Sequence, residues 1–107
     1  MKEMNEQELL DMLQSTGEPL VVFFYTPLCG TCKVARRMLE VAEHMLPSEL
    51  VIATGDVNRM RGIVNQYRIS SVPALLVATA DRIAEPAIYY SMGSVERMLD
   101  YIRSVTS

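Results

Sequence analysis

The sequence predicts a mixed α/β domain, a mainly four-stranded sheet with helices on both faces. Three observations carry that prediction. Short apolar runs alternate with stretches of helical period through the first half of the chain. The last two apolar runs are separated by only a tight turn. At 107 residues the chain has length for a single domain, residues 1–107, with one core. A strand, a helix and a second strand in succession demand a parallel crossover, whereas two strands joined by a short turn pair antiparallel.

The elements follow in order. Asn5 with Glu8 has the spacing of a capping box, and Leu9, Leu10 and Leu13 continue as an apolar stripe, so a helix starts there. Gly17 and Pro19 punctuate its end. The unbroken apolar run Leu20–Tyr25 is short enough for a strand covered on both faces. Thr26-Pro27-Leu28-Cys29-Gly30 breaks it, after which Ala35, Met38, Leu39, Ala42 and Met45 recur at helical spacing until Pro47. Residues 50–57 read as a second strand. Met60, Ile63, Val64 and Tyr67 give a short helix, weakened by Gly62. Val72-Pro73 precedes a third strand, Ala74–Ala78, residues 79–82 turn, and residues 87–90 return. Gly93-Ser94 then caps a last helix with Val95, Met98, Leu99 and Ile102 on one face.

Composition excludes several classes of function. There is no low-complexity run, and a net charge of −3 argues against nucleic acid or an anionic membrane as the main partner. Two cysteines are too few for a secreted disulfide scaffold. Residues 1–8 are acidic and lack the apolar core of a secretory signal. No apolar run approaches the roughly 18 residues of a membrane helix. The expectation is a soluble, cytoplasmic monomer whose thiols are kept reduced.

The chemistry concentrates in Cys29-Gly30-Thr31-Cys32, at the junction between the buried strand and the long helix. Three-residue spacing on a starting helical turn lets two sulfurs meet, with Cys29 at the cap and Cys32 in the first turn. Unpaired N–H groups and the positive end of the helix dipole favour a thiolate at Cys29. The loop leaves that sulfur exposed while Cys32 is shielded. Cys29 is therefore the attacking nucleophile, and Cys32 resolves the mixed disulfide it forms.

With these residues in view, the chain resembles the thioredoxin family over essentially its whole length. The resemblance is carried by Val21-Val22-Phe23-Phe24-Tyr25 before the cysteine pair, Lys33 directly after it, Ser71-Val72-Pro73-Ala74-Leu75-Leu76 downstream, and the order of elements. It implies a thioredoxin fold and thiol–disulfide exchange with protein disulfides or low-molecular-weight thiol adducts. It also implies no bound cofactor, with electrons from a thioredoxin reductase or a low-molecular-weight thiol. Pro73 would be cis and lie across from the cysteines. Only about 5% of X-Pro bonds are cis in folded proteins, so this expectation rests on the resemblance. A cis bond would aim the Val72 backbone at the cleft, where its N–H and C=O can pair with an extended substrate. Read without the resemblance, Pro73 starts a strand in trans.

The chain also departs from the family pattern. Leu28 stands where thioredoxins typically have Trp, and Thr31 where they have Pro. Leu28, Gly30, Thr31 and Lys33 are thus the positions expected to tune the thiolate, Thr31 by adding a hydroxyl near the sulfurs. Phe23 replaces the buried Asp usually assigned as proton acceptor for the resolving cysteine, and Thr54 replaces its partner Lys. Cys32 must then lose its proton to water, to the leaving thiolate or to another group, and turnover is expected to be slower or more specialised.

The remaining candidates have plainer readings. Arg36 and Arg37 read as a solvated helix face. His44 lies about 18 Å along the helix from Cys32, too far to serve as its base. Met38, Met45, Met60 and Met98 read as core, Met92 as lining for a partner groove, and one of Tyr89 and Tyr90 as buried. Two cysteines and one distant histidine fall short of a four-ligand zinc site, so no metal is expected within the chain, and only a bridge across a dimer is left open. A rival of another class is a thioredoxin-fold binding module or redox sensor, switched by Cys29–Cys32 oxidation. A purely structural disulfide domain fits a cytoplasmic setting poorly.

Overall fold

A computed structural model describes residues 1–106. Its elements in chain order are β1 (Lys2–Glu3), α1 (Glu6–Gln14), β2 (Leu20–Tyr25), α2 (Gly30–Glu43), β3 (Val51–Asp56), a 3-10 turn (Val57–Arg59), α3 (Arg61–Tyr67), β4 (Ala74–Ala78), β5 (Ala87–Tyr89) and α4 (Val95–Thr106). The strands form one sheet in the order β1-β3-β2-β4-β5. β1 and β2 run parallel to β3, β4 is antiparallel to β2, and β5 is antiparallel to β4. The crossover in the first half and the hairpin in the second are those the sequence predicts.

The sheet has a fifth strand that the sequence does not announce. Lys2 and Glu3 carry no apolar pattern, and their side chains are exposed. They pair through the backbone with Ala53 and Thr54, and Met4 extends the edge by donating its N–H to the Thr54 carbonyl at 2.9 Å. Two charged residues make a short edge, which discourages pairing with another chain.

β2 is the central strand, and Leu20, Val21, Val22, Phe23 and Phe24 are all fully buried. Alternate side chains go to opposite faces. Leu20, Val22 and Phe24 pack with Leu9, Met60 and Ile63 on the α1/α3 side. Val21 and Phe23 pack with Cys32, Ala35, Leu39, Met98 and Ile102 on the α2/α4 side. Gly55, paired with Phe24, is a glycine because of close approach: a Cβ there would come within 2.8 Å of Met60 Cε and 3.1 Å of Leu9 Cδ1.

The helix starts match their sequence signals. Asn5 and Glu8 form both halves of the capping box, at 2.8 and 3.0 Å. Ser94 Oγ accepts the Arg97 N–H at 3.1 Å at the head of α4. Along α2, Ala35, Leu39 and Ala42 are buried and Met38 is half-buried. Met45 departs from expectation: α2 ends at Glu43, before the Pro47 punctuation, and the turn that follows leaves Met45 56% exposed. Met60 and Met98 are buried as expected. Tyr89 stacks on Tyr101 with ring centroids 3.8 Å apart and is half-buried rather than buried as expected, while Tyr90 is exposed, so the alternation holds only in degree. Among the described residues no helix is long and apolar enough to cross a membrane.

Candidate active site

The chain leaves the buried end of β2 through Thr26–Pro27–Leu28 and enters α2 with Cys29 as its N-cap. Cys29 has extended backbone angles (φ −87°, ψ 108°), and its Sγ accepts the Cys32 N–H at 3.1 Å. A cysteine thus occupies the position where Ser or Asp usually satisfies a free helix N–H. Thr31 Oγ1 lies 3.4 Å from the same sulfur. Cys29 and Cys32 are joined as a disulfide with their Cα atoms 5.2 Å apart. Cys29 is half-buried and reachable, whereas Cys32 is only 3% exposed, beneath the first turn of α2. Leu28 projects freely at 97% exposure, and Gly30, Thr31 and Lys33 are exposed around the sulfurs.

The Val72–Pro73 peptide bond is cis. Val72 and Cys29 both pack against the core cluster that contains Cys32. Pro73 lines a groove of about 480 Å³ together with Thr31, Val34, Met38, Tyr90 and Met92. Sequence-distant residues expected to meet at the cleft are therefore adjacent, and Met92, though 8% exposed, contributes to that groove.

Beneath the sulfurs, Phe23 is fully buried on the Cys32 face, directly across β2 and β3 from Thr54, itself fully buried. No carboxylate or amine occupies either position. Instead the Thr54 hydroxyl donates to Glu3 Oε1 at 2.7 Å, and the Tyr25 hydroxyl donates to the same oxygen at 2.9 Å. Burial first, then the hydrogen bond and charge of Glu3, push the Tyr25 phenol above its ordinary pKa; Asp56 adds to this and Arg36 opposes it. Arg36 is not simply a solvated cation: it is half-buried, with its guanidinium carbon 5.9 Å from the Tyr25 ring centroid. Arg37 stays exposed, as does His44 at the far end of α2. A cleft of about 150 Å³ lies between Phe23, Tyr25, Thr26, Cys32, Lys33 and Arg36.

Glu3 carries no motif, and Tyr25, though part of the strand segment before the cysteines, has no sequence signal that pairs it with Glu3. Only the pairing of β1 with β3 sets Glu3 beside Thr54. Among the described residues no group of three or more His, Cys, Asp or Glu side chains is arranged to hold a metal ion.

A disulfide-bonded cysteine pair at a strand-to-helix junction, with a cis-proline bond packed beside it on a mixed sheet, defines a class of redox-capable α/β domains. The family model described as Thioredoxin matches residues 1–104, and the chain belongs to the thioredoxin family. It is 33% identical over 107 residues to the thioredoxin-like protein YusE of Bacillus subtilis (strain 168), covering 100% of this chain and 95% of that protein. It is 30% identical over 89 residues to a thioredoxin of Mycoplasmoides gallisepticum, covering 82% of this chain and 87% of the other. The solved structure of chloroplastic thioredoxin z superposes with a TM-score of 0.83 over 98% of this chain and 93% of that one. At 17% identity that likeness concerns the fold alone.

Proposed function

We propose that this protein is a thiol–disulfide oxidoreductase that exchanges its Cys29–Cys32 pair with disulfides in proteins or with low-molecular-weight disulfides. The observation that carries the reading is the asymmetry of the two residues: Cys29 half-buried and reachable at a helix N-terminus, Cys32 buried behind it. In the reduced protein the Cys32 N–H, the Thr31 hydroxyl and the positive end of α2 stabilise a thiolate at Cys29. Lys33, one residue beyond the pair, adds a cation to the same end of the helix.

The Cys29 thiolate attacks a substrate disulfide and expels one substrate thiolate. Cys32 then attacks Cys29, which releases the second substrate sulfur and re-forms the intramolecular disulfide. The backbone of Val72, set at the cleft by the cis bond to Pro73, offers its N–H and C=O to an extended substrate segment. The apolar groove beside Pro73 and the exposed Leu28 supply adjoining contact surface. No resident cofactor is needed; a thioredoxin reductase or a low-molecular-weight thiol returns the electrons to a monomeric enzyme in the cytoplasm.

Trapping tests this reading. Reduced Cys32→Ser protein should accumulate a covalent mixed disulfide with a peptide disulfide substrate, stable to buffer and cleaved by dithiothreitol. The wild-type chain should pass through the same species and release both substrate thiols. If Cys32→Ser traps nothing and the oxidised wild type instead changes its affinity for a partner without turnover, the chain acts as a redox-switched binding module.

A further inference from the structure

Exchange at Cys29 needs Cys32 as a thiolate, yet Cys32 is 3% exposed, and among the described residues the cleft it lines holds no carboxylate or histidine. The side chain beneath it, Phe23, has no proton-accepting atom, and Thr54, opposite Phe23, already donates its proton elsewhere. A way out on that side is the cleft of about 150 Å³ that Cys32 shares with Tyr25, Thr26, Lys33 and Arg36. A water needs a void of about 10–15 Å³ and two to four polar partners, and the cleft of about 150 Å³, with Tyr25, Thr26, Lys33 and Arg36 in its lining, has room for one. Tyr25 lines it, and its hydroxyl donates to Glu3 Oε1, which leaves a lone pair on the phenolic oxygen able to accept. Glu3 sits on the exposed edge strand, where its carboxylate meets bulk solvent.

We infer that Tyr25 and Glu3 form the exit route for the Cys32 proton, linked to the sulfur by water in the cleft, so that this chain replaces a buried acid with a relay ending at its sheet edge. The inference rests on the oxidoreductase reading above. In the mixed-disulfide state the Cys32 thiol gives its proton to the cleft water. That water donates one to Tyr25 Oη as Tyr25 passes its own to Glu3. The Cys32 thiolate then forms the bond to Cys29 Sγ, and the bond from Cys29 to the substrate sulfur breaks, with its electron pair leaving on the substrate thiolate. Glu3 gives up its proton to solvent, so the tyrosine starts and ends neutral.

The charges around Tyr25 suit a transfer of protons rather than an ionised phenolate. Glu3 from β1 and Asp56 from β3 face it as anions, the latter also accepting the Asn58 N–H at 3.0 Å, while Arg36 and Lys33 from α2 are the cations at the cleft. The Thr54 hydroxyl, donating to the same Glu3 oxygen at 2.7 Å, fixes the acceptor in place.

The test uses reduced full-length protein and 5,5′-dithiobis(2-nitrobenzoate), whose coloured thiolate reports each step. Attack by Cys29 releases one equivalent and resolution by Cys32 a second. Tyr25→Phe keeps the ring under Arg36 but removes the relay oxygen; Glu3→Gln keeps an acceptor for both hydroxyls but takes no proton. Near pH 7 each variant should slow the second release by about tenfold or more, and by more than it slows the first, in line with the reach of acid–base catalysis. The deficit should shrink as pH rises and hydroxide takes over. A second release unchanged in both variants, or slowed by one factor at every pH, would overturn the relay. A wild-type chain that releases only one equivalent would overturn the oxidoreductase reading itself, and the relay with it.

Discussion

The two faces of the sheet are built from the same strands to opposite ends. On the α1/α3 side, Leu20, Val22 and Phe24 close against Leu9, Met60 and Ile63, and even Gly55 is filled over by the Met60 side chain. On the α2/α4 side, Val21 and Phe23 begin the same way, but the face ends in Cys32, the half-buried Tyr25 and two clefts. One face therefore closes over its strand residues mainly with apolar contacts, with the Glu6 carboxylate accepting the Ile63 N–H between α1 and α3 at 3.1 Å. The other trades closure near the end of β2 for access to a sulfur and a chain of hydroxyls. A single step in sequence, from Phe23 to Phe24, crosses from one regime to the other.

Truncating the two phenylalanines breaks that comparison most directly. Phe24→Ala leaves a sealed void and should cost about 3–5 kcal/mol of unfolding free energy. Phe23→Ala should cost less, because the space it vacates opens into the existing cleft beside Cys32 and admits water. Urea unfolding of the oxidised proteins measures both; equal losses would mean that the two faces are equally closed.

A smaller effect sits at the turn between β4 and β5. Asp81 is held below the ordinary carboxylate pKa first by the Ile83 N–H and next by the Thr79 hydroxyl, both at 3.0 Å. A depressed folded pKa contributes stability that is present above the unfolded value of about 3.9 and lost as pH falls through the folded value. The acid limb of a stability–pH curve should therefore flatten slightly in Asp81→Asn at pH 4 and below, with no difference between the proteins in the slope at pH 6–8.

What the sequence made legible follows the range of the forces involved. The helix caps at Asn5 and Ser94, the buried run of β2 and the sulfur pair at the head of α2 are local arrangements, and each has a local signature. The cis bond before Pro73 is foreseen only through family resemblance, since nothing in Val72-Pro73 by itself distinguishes cis from trans. β1 escapes notice because a two-residue strand of charged side chains has no period to read. The Glu3 cluster escapes for a different reason. Its bonds join residues 22 and 51 positions apart, brought together by strand pairing rather than by any spacing. Met45 shows the converse error, since its helical spacing continues past the point where the helix itself stops.

The account depends on how differently the two thiols behave once reduced. Alkylation of the reduced protein with iodoacetamide across pH 4–10, with each cysteine followed by mass spectrometry of its peptide, measures that difference. Cys29 should react first, with a half-maximal pH clearly below the free-thiol value of about 8.5 and with Cys32 unmodified until well above it. Inflections at or above 8.5 for Cys29, or modification of Cys32 ahead of it, would contradict the assignment of nucleophile and resolving thiol.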